Sequence, residues 1–193
     1  MITNVSIMSQ YEIQERLFSY KKYYSNLAII SINDYNEKLK YPSNEEFETS
    51  DGIRVLRCYF DDVGIFANRL YKDVGHKMEI CDAFRIKRFI DSLNGDYNLW
   101  VHCGAGISRS GAVGCVIARY VNLNEWKLFK TGKIGPNEWI YQMMCIAFNI
   151  PYSYEELRLK KEVGYQICSK RLEEQGLKVN RDKKTGKYSL SFN

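Results

Sequence analysis

Histidine is nearly absent from this sequence: His76 and His102 are the only two in 193 residues. That excludes histidine-rich metal sites and leaves little room for a cysteine–histidine dyad, so no metal and no other cofactor is expected. The six cysteines, at 58, 81, 103, 115, 145 and 168, form no C-x-x-C pair. Cys58, Cys115 and Cys145 lie inside apolar runs, where buried free thiols are expected, and a reduced, cytoplasmic setting follows. No stretch approaches the ~18–20 continuous apolar residues of a membrane span. The first residues show no secretory pattern, and no membrane association is expected. Internal repeats and low-complexity segments are also missing.

What is present suits one domain large enough to bury a core. The net charge of +5 is unevenly placed. Residues 175–193 carry Lys178, Arg181, Lys183, Lys184 and Lys187 against Asp182 alone. The chain divides at residue 176, with 177–193 as a basic tail. A solvated surface element is the favoured reading of that tail, and nucleic acid binding is the less favoured one.

The chemistry concentrates in His102-Cys103-Gly104-Ala105-Gly106-Ile107-Ser108-Arg109-Ser110-Gly111. The preceding Tyr97 to Val101 reads as a short buried strand, and Ala112 to Leu123 as a buried helix. The loop therefore joins a strand to a helix N-terminus, where backbone N–H groups and the helix dipole favour an anion. Such an environment, with an arginine nearby, depresses a thiol pKa and makes Cys103 a standing thiolate. Arg109 suits a phosphate because its planar fork bonds two oxygens at once. Gly104 and Gly106 permit backbone angles that turn N–H groups inward. Ser110 can donate to the sulfur when it leaves as a thiolate.

Two other motifs fail. Gly104 to Arg109 begins as a dinucleotide fingerprint, but Arg109 stands where the third glycine must be, and Asn122 and Asn124 replace an acidic ribose ligand. Gly106 to Gly111 has Walker spacing, but Ala112-Val113 follows instead of lysine and a hydroxyl residue.

Elsewhere, Ile2 to Met8 reads as a strand. Ser9 and Glu12 form a capping box before a helix to about Tyr20. Leu27 to Ile32 is a strand, residues 33–52 a connecting loop, and Ile53 to Phe60 a further strand ending at Asp61-Asp62. Met78 to Leu93 reads as an amphipathic helix with Ile80, Phe84, Phe89, Ile90 and Leu93 on its core face, stopped at Gly95. A helix is expected from Pro136 to about Ile150. Another opens at the capping box of Ser153 and Glu156 and ends near Gly176, and the tail reads as a hairpin. The sum is an α/β domain with a central mixed sheet flanked by helices, its phosphate-binding loop between a strand and a buried helix.

The pattern H-C-x-x-x-x-x-R-S/T resembles the cysteine-dependent protein tyrosine phosphatase superfamily. Ala105 to Gly111 looks most like its small dual-specificity branch. The resemblance runs over roughly residues 1–150, through Ser9, Ile29-Ile30-Ser31, Phe60-Asp61-Asp62 and Pro136-Asn137, and is specific only at the loop. It implies a catalytic domain over residues 1–176, with Cys103 as nucleophile, Arg109 as phosphate clamp and Ser110 aiding thiolate departure. His102 would hold the Cys103 backbone and tune its pKa. Gly104, Ala105, Gly106, Ile107 and Ser108 would line the phosphate site. The general acid would be Asp62, with Asp61 in reserve as a solvated or capping neighbour and Asp73 next. The implied activity is metal-independent hydrolysis of phosphotyrosine in a protein partner, extending to phosphoserine and phosphothreonine, through a cysteinyl-phosphate intermediate. An RNA 5′-triphosphatase using the same loop and a non-catalytic phosphate-binding module are the alternatives, and a sulfurtransferase is more distant. The tryptophan-containing acid loop of the large tyrosine-specific phosphatases is not evident.

Overall fold

The computed structural model describes residues 1–19, 26–39, 46–49, 52–64, 75–181 and 188–192. Five strands form one sheet: β1 (Ile2–Ser9), β2 (Leu27–Asn33), β3 (Glu46–Glu48), β4 (Arg54–Tyr59) and β5 (Tyr97–Cys103), in the order β1-β5-β2-β4-β3. The first four in that order run parallel, and β3 lies antiparallel to β4. The sheet is mixed, as expected. The stretch 33–52 is less irregular than its composition suggests, because it holds β3 and a short 3₁₀ helix, Tyr35–Leu39. Three residues are too few for a period of two to register.

Alternation along the strands loads both faces of the sheet. Ala28, Ile30 and Ile32 of β2 join the larger core with Leu56, Phe60, Leu99 and Val101, under α2 (Ile80–Asp91), α3 (Arg109–Tyr120) and α5 (Glu138–Phe148). Leu27 and Ile29 face the other way, and with Met8, Ile53 and Val55 they receive Ile13 of α1 (Gln10–Ser19). The Ser9 box closes reciprocally at the head of α1. The Ser9 N–H donates to Glu12 Oε2 at 2.7 Å, and the Glu12 N–H donates to Ser9 Oγ at 3.1 Å. No helix among the described residues is long and apolar enough to cross a membrane.

Three helices differ from the sequence reading. Helix α3 starts at Arg109, three residues before the apolar run, so Arg109 and Ser110 form its first turn. Helix α5 starts at Glu138, because Asn137 supplies the cap through its side chain and Pro136 precedes that cap. On α2 the buried residues are Asp82, Ala83, Ile86, Phe89 and Ile90, whereas Ile80 and Phe84 are exposed. Ala83, Ile86 and Ile90 share a face centred well away from Ile80 and Phe84.

Beyond a short α4 (Trp126–Phe129), α6 (Tyr154–Glu174) leads into β6 (Leu177–Arg181) and β7 (Tyr188–Phe192), which pair antiparallel as a hairpin. Ser153 caps α6 by accepting the Glu156 N–H. The Glu156 carboxylate bonds Lys160 rather than completing a box. Lys160 is only 2% exposed and also bonds Glu125, which accepts from Tyr141 and pairs with Arg119. This buried ionic network fastens α6 to the ends of α3, α4 and α5. Lys160→Met should therefore lower unfolding free energy by roughly 3 kcal/mol, because Glu125 keeps a buried charge without its main counter-ion. Urea denaturation checks this; an unchanged midpoint would make the network dispensable.

Candidate active site

The loop after β5 lies at the C-terminal end of the sheet, beside the end of β1. Gly106 has φ +71°, and a Cβ there would collide with the Met8 carbonyl carbon and the Ser9 nitrogen. Only glycine fits both constraints. Gly104 does not need this freedom, contrary to the sequence reading. It is outside the left-handed region, and a Cβ would meet only Arg109 Nη2 at 3.9 Å. Its carbonyl instead accepts the Gln10 N–H at 3.1 Å. Gly104, Ala105 and Ile107 are exposed, Ser108 is half-buried, and Gly106 is buried.

Cys103 sits at the floor of this loop, buried at the end of β5. Burial alone would raise its thiol pKa. Hydrogen bonds from the Ser110 hydroxyl and from the backbone of Ser110, Gly106 and Ile107 outweigh burial, so the net shift is downward. Ser110 Oγ lies 3.2 Å from Cys103 Sγ. The three backbone groups converge on one point, as an anion cradle does. By contrast, burial pushes the Cys115 and Cys145 thiols up. Cys103 alone among these buried thiols is biased toward the thiolate.

Arg109 is buried at the head of α3. Its Nη1 donates to Asp34 Oδ1 at 2.6 Å and to the Phe60 carbonyl at 3.0 Å. Asp34 was not singled out from the sequence. Its signal is a carboxylate directly after a parallel strand, at the sheet end where ligands of such sheets bind.

The adjacent carboxylates divide as strand alternation requires. Asp62 Oδ1 accepts the Ser108 hydroxyl at 2.8 Å and Asn137 Nδ2 at 2.7 Å, so Asp62 lies over the loop. Ser108 thus spends its hydroxyl on Asp62 rather than on capping α3. Asp61 accepts the Tyr35 N–H on Oδ1 at 2.9 Å and the His76 N–H on Oδ2 at 2.6 Å. Of the two readings, solvated or capping, it is the capping one: Asp61 clamps backbone at the start of the 3₁₀ helix and at His76. Asn137 serves twice, since its Oδ1 also caps α5 through the Ile140 N–H. Asp73 lies outside the described residues.

His102 is one residue from Cys103 and on the opposite face of β5. It lines a cavity of about 420 Å³ with Gln10, Ile13, Ile29, Ser31 and Val55. Its Nδ1 is buried without a hydrogen-bond partner. Burial takes the imidazole pKa down to about 4, against a weaker raising pull from the Cys103 backbone. Among the described residues no group of three or more His, Cys, Asp or Glu side chains could hold a metal ion.

No protein-family model matches the chain, and no curated protein sequence is similar to it. Among solved structures it is similar to PTPMT1 in complex with PI(5)P, at 15% sequence identity and a TM-score of 0.34. That similarity covers 87% of this chain and 94% of that one.

The His102 geometry sets a pH dependence. Its folded pKa is depressed from 6.5 to about 4, so the unfolded state binds the proton more tightly between those values. Stability is full above the unfolded pKa and is lost as pH falls toward the folded one. The loss should reach about 2 kcal/mol at pH 5 relative to pH 7.5. His102→Phe should remove that part of the loss in urea titrations at the two pH values. Equal losses in both proteins would remove His102 as the cause.

Proposed function

We propose that this chain is a cysteine-dependent phosphatase, a phosphoric monoester hydrolase of the superfamily its loop resembles. Its substrates are phosphotyrosine and, more widely, phosphoserine and phosphothreonine in proteins. The observation that carries this reading is the convergence of hydrogen bonds that lowers the Cys103 pKa despite burial, with Asp62 across the loop. The thiolate attacks phosphorus, forming an S–P bond as the ester P–O bond breaks. Arg109 and the loop N–H groups hold the phosphoryl oxygens, where charge develops. Protonated Asp62 gives its proton to the leaving oxygen. Water then attacks phosphorus, Asp62 takes the water proton, and the S–P bond breaks. Ser110 donates to the departing sulfur.

The two donors on Asp62 both fall on Oδ1, which orients the carboxyl and leaves Oδ2 to carry the proton. The thiolate needs a reducing compartment, and cytoplasmic operation is part of the same reading.

The test compares a small aryl phosphate, phosphotyrosine and phosphoserine peptides, and triphosphorylated RNA, all with chelator present. Hydrolysis of the aryl phosphate and the phosphotyrosine peptide is expected. Turnover of the RNA alone would replace the reading with a 5′-triphosphatase. Cys103→Ser should reduce kcat on the order of a thousandfold or more while phosphate-ester binding persists. Arg109→Lys should be nearly as damaging, since a point charge cannot replace a bidentate fork. Appreciable turnover by Cys103→Ser would exclude the covalent route.

Asp62→Asn should lower kcat by about a hundredfold on poor leaving groups, far less on good ones, and flatten the alkaline fall of the pH–rate profile. Asp61→Asn should lower stability without that leaving-group dependence. If the dependence belongs to Asp61, the roles are exchanged; if to neither, Asp73 is the acid to test.

A further inference from the structure

Ile80 and Phe84 carry the apolar signal that the helical period assigned to the core, yet they are 38% and 48% exposed. They stand at i and i+4 on one face of α2. On α5, Trp139, Met143 and Ile146 stand at i, i+4 and i+7. Ile146 is 54% exposed and the other two are half-buried. The rows adjoin. The Trp139 indole N–H donates to the Met78 carbonyl at 2.9 Å, just before α2 begins. Near the other end, the Lys87 ammonium lies 6.0 Å from the Phe148 ring centroid. Helices α2 and α5 thus run side by side with their N-termini together. An open groove of about 560 Å³, lined by His76, Lys77, Met78, Ile80, Trp139 and Met143 among others, marks that end. Single exposed apolar residues are ordinary, but two adjoining rows form a patch.

The groove begins where the candidate acid is held. His76, on its wall, donates its N–H to Asp61, the neighbour of Asp62. Trp139 follows Asn137, which bonds Asp62 directly, by two residues. The charges along the strip are unbalanced. Arg85 pairs with Asp82, Lys87 pairs with Asp91, and Glu79 belongs to the capping box of α2. Lys77 lies 4.8 Å over the Trp139 ring, and Arg88 stands one turn beyond Phe84. Neither meets a carboxylate among the described residues. One unmatched cation therefore lies at each end of an apolar strip.

We infer that the α2–α5 strip is a docking groove for an acidic amphipathic helix of the phosphoprotein substrate. Apolar side chains at i, i+4 and i+7 of that helix seat on Ile80, Phe84, Trp139, Met143 and Ile146, and its carboxylates meet Lys77 and Arg88. Two cations without a carboxylate partner among the described residues suit a short acidic segment. They fall short of the four to eight basic residues of an anionic-lipid site. The inference rests on the phosphatase reading for its link to turnover, but not for binding itself.

Two measurements separate them. The first is fluorescence anisotropy of an unphosphorylated helix-forming peptide with leucines at i, i+4 and i+7 and glutamates between. Wild-type protein should bind it. Phe84→Ser, Ile146→Ser and Arg88→Glu should each weaken binding about tenfold, and a lysine-for-glutamate peptide should favour Arg88→Glu over wild type. The second compares kcat/KM for a phosphotyrosine peptide with and without that helix attached. The attached helix should lower KM in wild type and not in the variants, while aryl-phosphate hydrolysis stays unchanged throughout. Failure of all hydrolysis with peptide binding intact would sink the phosphatase reading and leave the groove standing. Aryl-phosphate turnover without any peptide binding would overturn the groove alone. Variant-sensitive dimerisation in sedimentation, or binding to phosphatidylserine vesicles, in place of peptide binding would likewise overturn it.

Discussion

The contact between Gly106 and the Met8–Ser9 peptide sets the shape of everything around the thiol. With φ +71° and no side chain, Gly106 presses the loop onto the end of β1. The Gln10 N–H holds the first residue of the loop through the Gly104 carbonyl. That strand end is itself fixed, because Ser9 closes the capping box of α1. So anchored, the loop can only curl inward, and its N–H groups point at Cys103. The lowered pKa of the thiol is thus a product of the Ser110 hydroxyl and of the backbone N–H groups that this conformation presents, since burial works against it. A neighbouring base is not its source: His102 faces the other side of the sheet, and burial keeps its ring neutral near pH 7.

Three carboxylates at the same end of the sheet do three different things. Asp34 holds the Arg109 guanidinium by one nitrogen, which constrains the orientation of the side chain proposed to grip the phosphate. Asp61 gathers the two connections that follow β2 and precede α2 by accepting one N–H from each, and the Tyr35 and His76 rings stack at 3.8 Å above that staple. Gly75 is required beside it, because a Cβ there would collide with the Asp61 carboxylate. Asp62 is left to face the loop. The rigidity given by Asp61 lets its neighbour be exposed and still positioned.

What the sequence revealed follows from how local each feature is. The thiol, arginine, hydroxyl and Gly106 fall within ten residues, so their meeting in one loop was legible from spacing. Asp34 and Asn137 reach their partners across 75 residues each, a distance at which no spacing rule operates. Asp61 and Asp62 were visible as a pair, but only the register of β4 and the position of His76 divide their work. Ile80 and Phe84 show a different limit. Helical periodicity counts apolar residues without saying which of two apolar faces is turned inward, and α2 has two. The sheet was readable from its long apolar strands, whereas β3 was too short to carry a pattern.

The region beyond residue 150, where the family resemblance ends, is nonetheless tied to the loop. The Gly135 and Asn137 N–H groups donate to the Ile107 and Ser108 carbonyls, bracing the loop from behind. That bracing segment is backed by α6. Gly164 lies so close that a Cβ would come within 3.2 Å of the Phe129 carbonyl, and a Cβ on Gly135 would come within 3.0 Å of the Tyr165 hydroxyl. Lys160 fastens the same helix through Glu125. Forces on α6 therefore reach the loop through one short, tightly packed connection, the one that also carries Asn137 to the candidate acid. A helix without counterpart in the resemblance is, by its contacts, part of the scaffold that shapes the loop around Cys103.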